Sequence, residues 1–324
     1  MRDRWSRWSG RTMGMLLGVL AVLALLLWGG WELYRRQGTP LPVLMYHHFE
    51  KYGPCSADSV VSADRFREQL LALKAAGYTA VDPFEIADFV EKGVPLPDKP
   101  VLITMDDGYA SNLEIAAPIL EECGMKATVF AIGAAVGRTT YPGSQTVLDP
   151  PRFGWEQVRP WVDKGVLCIQ SHTYNMHHRT GTEWDRDGVI KKRGERMADY
   201  RAALRTDVRQ AEQELKDGLD VPLIAVAFPY GLWSRTAVEE FRQAGVKMTF
   251  STRYGCSRIR QGQSDTMQLL NRWWITDQIT GQQLAQGRVN FQIIGVEIRA
   301  ADVVGSAPLV ELKIGCLSHR KSSF

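Results

Sequence analysis

Apolar runs alternating with helical patterns constrain this chain more than any other feature. PVLMY (42–46) precedes DRFREQLLALKAAG (64–77), and PVLITM (100–105) precedes SNLEIAAPILEECG. KATVFAIG (126–133), GVLCIQ (165–170), IAVAFPY (224–230), VKMTFST (246–252) and LLNRWWI (269–275) continue the rhythm. A strand that is apolar on both faces belongs in a parallel sheet covered on both sides. The fold class this predicts is α/β, a distorted (β/α) barrel of about seven to eight parallel strands. The charged stretch 184–218 reads as a helix with an exposed face. Beyond Gly287 the pattern returns to β-like alternation (FQIIGVEIRAADVV) and leaves the β/α rhythm, so 288–324 reads as a tail of uncertain structure.

The N-terminus carries a second constraint. From Thr12 to Trp31 no residue is charged, and MGMLLGVLAVLALLLW is almost wholly aliphatic. Roughly 20 residues at 1.5 Å each match the ~30 Å hydrocarbon core of a bilayer. Arg2, Arg4, Arg7 and Arg11 precede the run, while Arg35 and Arg36 follow it. That excess favours a cytoplasmic N-terminus. The run is long for a leader peptide and ends in WGGWELYRR with no small-residue cleavage site, so an uncleaved signal-anchor is expected. Cleavage, with secretion, is the competing reading. The expected organisation is a basic segment and anchor over 1–36 (transmembrane helix about 12–31), a linker over 37–41, a catalytic domain over 42–287, and the tail. The lipid bilayer is then one partner, and the bulk of the chain works outside the cytoplasm.

Composition excludes some functions. A net charge of +3 over 324 residues gives no reason to expect nucleic acid, and no partner protein is indicated. Five cysteines lie far apart without a CxxC pair, which rules out a dense disulfide framework. Cys123 and Cys168 sit in apolar surroundings as small core residues.

The chemically unusual residues cluster at strand ends. Asp106-Asp107-Gly108 follows VLITM, His172 follows VLCIQS with His177 five residues later, and Pro229-Tyr230-Gly231 follows IAVAF. In a parallel barrel these positions converge on one face. Alone, each has an ordinary reading: a turn, a hydrogen-bonded histidine, a loop. Jointly, two imidazoles and a carboxylate make a three-ligand set for a catalytic divalent ion with a position left for water. A neighbouring carboxylate is then available to accept that water's proton.

These phrases resemble the polysaccharide deacetylase family, the NodB-homology or carbohydrate esterase 4 family, over roughly Pro42 to Gln286. LITMDDGYASN resembles its first motif, which implies Asp106 as catalytic base and Asp107 as metal ligand. SHTYNMHH resembles the second, implying His172 and His177 as ligands, in the branch similar to poly-N-acetylglucosamine deacetylases. His178 is the alternative ligand to His177, and Thr173 a brace for the loop. AFPYGLWS resembles the third motif, where the Tyr230 backbone N–H would hold the developing oxyanion. PVLMYHHF resembles the branch's opening strand, so that His47 and His48 border the site or serve structure alone. The chain also departs from the pattern. Ala227 stands where the family often has a base-orienting arginine, and Arg272 in LLNRWWI is the expected substitute. Trp273 or Trp274 is expected to wall the acetyl methyl or stack on a sugar, the other being core. His319, in KIGCLSHRK, is the general-acid candidate that the last motif suggests.

The resemblance therefore implies a hydrolase that removes N-acetyl groups from an amino-sugar polysaccharide of the cell envelope (peptidoglycan, poly-N-acetylglucosamine or chitin-like). It would need one divalent ion, Zn²⁺ or else Co²⁺ or Ni²⁺. An O-acetyl esterase of xylan type on the same scaffold, and a decayed, membrane-anchored glycan-binding protein, are the rival readings.

Overall fold

The structure is a computed structural model that describes residues 14–15, 17–26, 29, 38–53, 55–142, 144–145, 147–180 and 185–287. Seven parallel strands form its centre: β1 (Val43–Tyr46), β2 (Pro100–Asp107), β3 (Ala127–Ala131), β4 (Leu167–Ser171), β5 (Ala225–Ala227), β6 (Met248–Phe250) and β7 (Trp273–Trp274). They lie in the order β6-β5-β4-β3-β2-β1-β7, and Thr79–Ala80 adds a short parallel pairing at the start of β2. All eight residues of β2 are buried, as its unbroken apolar run requires of a strand covered on both faces.

The sheet curls until its two edges meet through one irregular segment. Leu270 bonds to β6, with Leu270 N–H donating to Thr249 O (2.8 Å) and Ser251 N–H to Leu270 O (3.0 Å). Four residues later Trp274 pairs with Met45 of β1, and Ile275 N–H donates to Met45 O (3.0 Å). Residues 270–275 thus form the seam of a distorted barrel.

Seven helices surround it: α1 (Ala63–Ala75), α2 (Pro83–Lys92), α3 (Ala117–Cys123), α4 (Trp155–Asp163), α5 (Met197–Leu219), α6 (Arg235–Gln243) and α7 (Gly281–Ala285). Their ends follow local chemistry. Asp82 and Glu85 make a reciprocal capping box at the start of α2, Pro83 occupies its first position, and Gly93 ends it at φ 75°. On α5 the buried residues Tyr200, Leu204, Asp207, Val208, Ala211 and Leu215 recur at helical spacing, so one stripe faces the barrel.

One expectation is corrected here, and a second finds no support among the described residues. The helix expected over 184–218 begins only at Met197. Gly188 and Gly194 upstream take φ of 52° and 76°, which breaks helical propagation, and Arg186 instead pairs with Glu195 at 2.6 Å. At the N-terminus, residues 14–15 and 17–26 are helical and exposed, Leu17, Leu20 and Leu26 among them. Among the described residues no helix is long and apolar enough to cross a membrane. At 1.5 Å per residue this stretch reaches about 20 Å against the ~30 Å required. The remainder of the expected span over 12–31 lies outside the described residues, as do the tail 288–324 and His319.

The seam is held from outside by α7 against α1. A methyl group on Gly281 would come within 2.7 Å of Ala72 Cβ and Glu68 O, so the contact leaves no room for one. Gly281→Ala is expected to cost about 1–3 kcal/mol of stability by urea denaturation. An unchanged midpoint would show that this contact does not hold the seam.

Candidate metal centre and active site

Asp106 and Asp107 end β2, and the pleat sends neighbouring side chains to opposite sides. Asp106 meets Arg272, whose guanidinium is fully buried. Its Nη1 and Nη2 donate to Asp106 Oδ1 and Oδ2 at 2.7 and 2.8 Å, and its Nε donates to Ser251 O at 2.9 Å. The pair is bidentate, the geometry in which a carboxylate gains most from arginine. Burial alone would push the Asp106 carboxyl up, but Arg272, His172 and His47 outweigh it and hold the group below the usual carboxylate range.

Asp107 takes φ 74° and faces the histidines. Its Oδ1 lies 3.3 Å from His177 Nε2 and 3.6 Å from His172 Nε2. Burial opposes its ionisation, yet the imidazoles around it keep it a carboxylate. His172 Nδ1–H donates to Ala227 O at 2.7 Å, which fixes the tautomer and leaves the Nε2 lone pair facing Asp107. His177 Nδ1 lies 3.2 Å from the Tyr230 hydroxyl, and the two rings stand 4.5 Å apart. Burial pushes the His177 ring down to about 4, so it is neutral near pH 7.

One ligand atom from each of Asp107, His172 and His177 lies within 4.8 Å of the other two. Asp107 Oδ1 is buried without a hydrogen-bond partner. A buried orphan acceptor facing two imidazole lone pairs is what a divalent cation satisfies, so these residues fit a metal. The structure places His177 in this group; His178 turns away, with Nε2 3.2 Å from Asn175 Oδ1 and its ring against Tyr141.

The remaining residues divide by location. Tyr230 sits in the turn after β5 at φ 58°. Trp274 is part-exposed beside His47, ring centroids 5.9 Å apart, whereas Trp273 packs on the core and stacks with Tyr254. His47 is part-buried, its buried Nδ1 meets no partner, and the charges of Asp106, Asp107, Arg272 and His172 all act on it. Burial, the largest influence, lowers its pKa. His48 points elsewhere, with Nδ1 2.8 Å from Ser111 Oγ. The sequence did not single out Asp207, a buried carboxylate on α5 that accepts hydrogen bonds from Tyr174 N–H (2.9 Å) and Asn175 N–H (2.7 Å).

Residues 93–249 match the family model for polysaccharide deacetylase. The chain thus carries a polysaccharide deacetylase domain. Among curated relatives, the poly-β-1,6-N-acetyl-D-glucosamine N-deacetylase of Escherichia coli K12 is 27% identical over 237 residues, 67% of this chain and 34% of that protein. The chain therefore spans about a third of that relative's length. The solved structure of IcaB from Ammonifex degensii aligns with TM-score 0.62 at 27% identity, covering 78% of this chain and 98% of that one. A de-N-acetylase from Aggregatibacter actinomycetemcomitans aligns with TM-score 0.64 at 23% identity (74% and 97% covered), a likeness of fold.

Two tests follow from the geometry of this site. Removing Arg272 strands a buried carboxylate, so Arg272→Met is expected to cost about 3–5 kcal/mol, and adding Asp106→Asn should recover part of it. Equal loss in the single and double variants would contradict the pairing. Between pH 6.5 and 4 the native apo protein keeps His177 neutral while the unfolded chain takes up a proton. Stability should therefore fall as pH drops through that window. His177→Gln should flatten this part of the profile, read as urea midpoint against pH after chelation.

Proposed function

We propose that this protein is a metal-dependent hydrolase that removes N-acetyl groups from an amino-sugar polysaccharide of the cell envelope, releasing acetate. The observation that carries the reading is the adjacency of two differently occupied carboxylates. Asp106 is locked to Arg272, while Asp107 faces His172 and His177 with a free buried oxygen. The poly-N-acetylglucosamine deacetylase relative supports an N-acetylated polymer as substrate.

Asp107, His172 and His177 would hold the ion, with Zn²⁺ first and Co²⁺ or Ni²⁺ next for a carboxylate and two imidazoles. When bound, a divalent ion supplies an acidified water and polarises the acyl oxygen. Asp106 accepts the water's proton. A carboxylate held as low as Asp106 is a poor base for ordinary water, which ties its role to a water already acidified. The Tyr230 N–H faces the developing oxyanion, and Trp274 lines the acetyl methyl. His47, part-buried beside both aspartates, is the imidazole among the described residues that could protonate the leaving amine, and His319 stays the candidate from the tail. Water adds across the C–N bond, giving acetate and a free amine. Tethering to a bilayer through 12–31 remains part of the proposal, resting on the uncharged aliphatic run and its flanking arginines.

The test is acetate release from N-acetylglucosamine oligomers by a soluble form starting at Gly38. Chelation should abolish release, Zn²⁺ should restore it, and Asp106→Asn and His47→Asn should each lower kcat by about 10²–10⁴-fold. Higher kcat/KM on O-acetylated xylan would instead favour the esterase. Oligomer binding with neither metal nor turnover would favour the glycan-binding protein.

A further inference from the structure

His172 and His177 are five residues apart, a spacing that no regular helix or strand turns into two converging rings. Their convergence has to be imposed on the intervening backbone by the rest of the fold. Thr173 reverses the chain at φ 70°, its carbonyl accepts from Gly133 N–H (3.1 Å), and its hydroxyl accepts from Met176 N–H (3.2 Å). Tyr174 O accepts from Ala134 N–H at 2.8 Å. The two N–H groups at the apex, of Tyr174 and Asn175, both point to Asp207, one to each carboxylate oxygen.

Asp207 lies in the apolar stripe of α5, between Leu204 and Val208, and is 4% exposed. A carboxylate in such a place is costly unless its oxygens are satisfied. Here the two apex N–H groups satisfy them, across more than thirty residues of sequence. The arrangement is directional, since a carboxylate offers two acceptors where an amide offers one acceptor and one donor.

We propose that Asp207 is a positioning residue for the metal centre: through the Tyr174 and Asn175 N–H groups it sets the shape of the His172–His177 loop, and so the affinity for a divalent ion. This rests on the metal-dependent reading above. Groups one step behind metal ligands commonly govern affinity by about 10–100-fold.

The experiment measures Co²⁺ and Zn²⁺ binding, by competition with a chromophoric chelator and by the visible spectrum of the Co²⁺ form, alongside thermal melts. Asp207→Asn should raise both dissociation constants about 10–100-fold and alter the Co²⁺ spectrum. Tyr200→Phe, which removes the α5 hydroxyl that donates to Val189 O, should lower the melting temperature without changing metal affinity. Equal affinity in Asp207→Asn and wild type would overturn the proposal, as would an equal affinity loss in Tyr200→Phe. Should Asp207→Asn fail to fold, Thr173→Ala decides, because it removes another tie of the same loop. Weaker metal binding at an unchanged melting temperature supports the proposal, and unchanged binding overturns it. Wild-type protein that takes up no divalent ion would sink the functional reading as well, whereas equal affinities sink this inference alone.

Discussion

A fully buried guanidinium inside a barrel needs an opposite charge with matching geometry, and Asp106 provides it through two parallel hydrogen bonds to Arg272. Removing either partner would leave an uncompensated charge where water cannot reach, so each makes the other necessary. The consequences spread along the chain. Arg272 sits on the seam, so the pair ties the register of 270–275 to the end of β2. With Arg272 Nε on Ser251 O, the guanidinium also spans β2 and the residue just past β6. Closing the barrel and fixing the orientation of one carboxylate are therefore a single event.

That arrangement frees the adjacent carboxylate for different work. Because the guanidinium is committed to Asp106, Asp107 is left to face the imidazoles of His172 and His177, and its Oδ1 stays without a donor. Ala227 takes part through its backbone: with only a methyl side chain, it still accepts from His172 Nδ1–H through its carbonyl. A guanidinium from the seam and a carbonyl from β5 together do what a single arginine at position 227 would do only in part.

The strands were legible in sequence because doubly covered strands leave unbroken apolar runs, and PVLITM is buried throughout. The ligand and base candidates were legible because they fall at the ends of those runs. His47-His48 and Trp273-Trp274 were half legible: alternation says that neighbours face opposite ways, but not which neighbour faces the site. Packing decides, sending His47 and Trp274 one way, and His48 and Trp273 the other. Asp207 was not legible. Its setting, RTDVRQAEQE, reads as a solvated helical face, and only the docking of α5 shows that this aspartate is inside. The charge-rich approach to α5 likewise concealed two glycines in left-handed backbone, which is why the helix was expected too early.

The segment that matches the family, 93–249, contains Asp106, Asp107, His172 and His177 but neither His47 nor Arg272. Under the proposed function, the three candidate ligands thus fall inside the matched segment, while Arg272 and His47 come from its flanks. On that reading, a change at position 272 would act on turnover through the barrel's seam as well as through Asp106, while the three ligand side chains keep their identity. A family match confined to 93–249 therefore says nothing of whether the groups beside Asp106 are present, because those lie outside it.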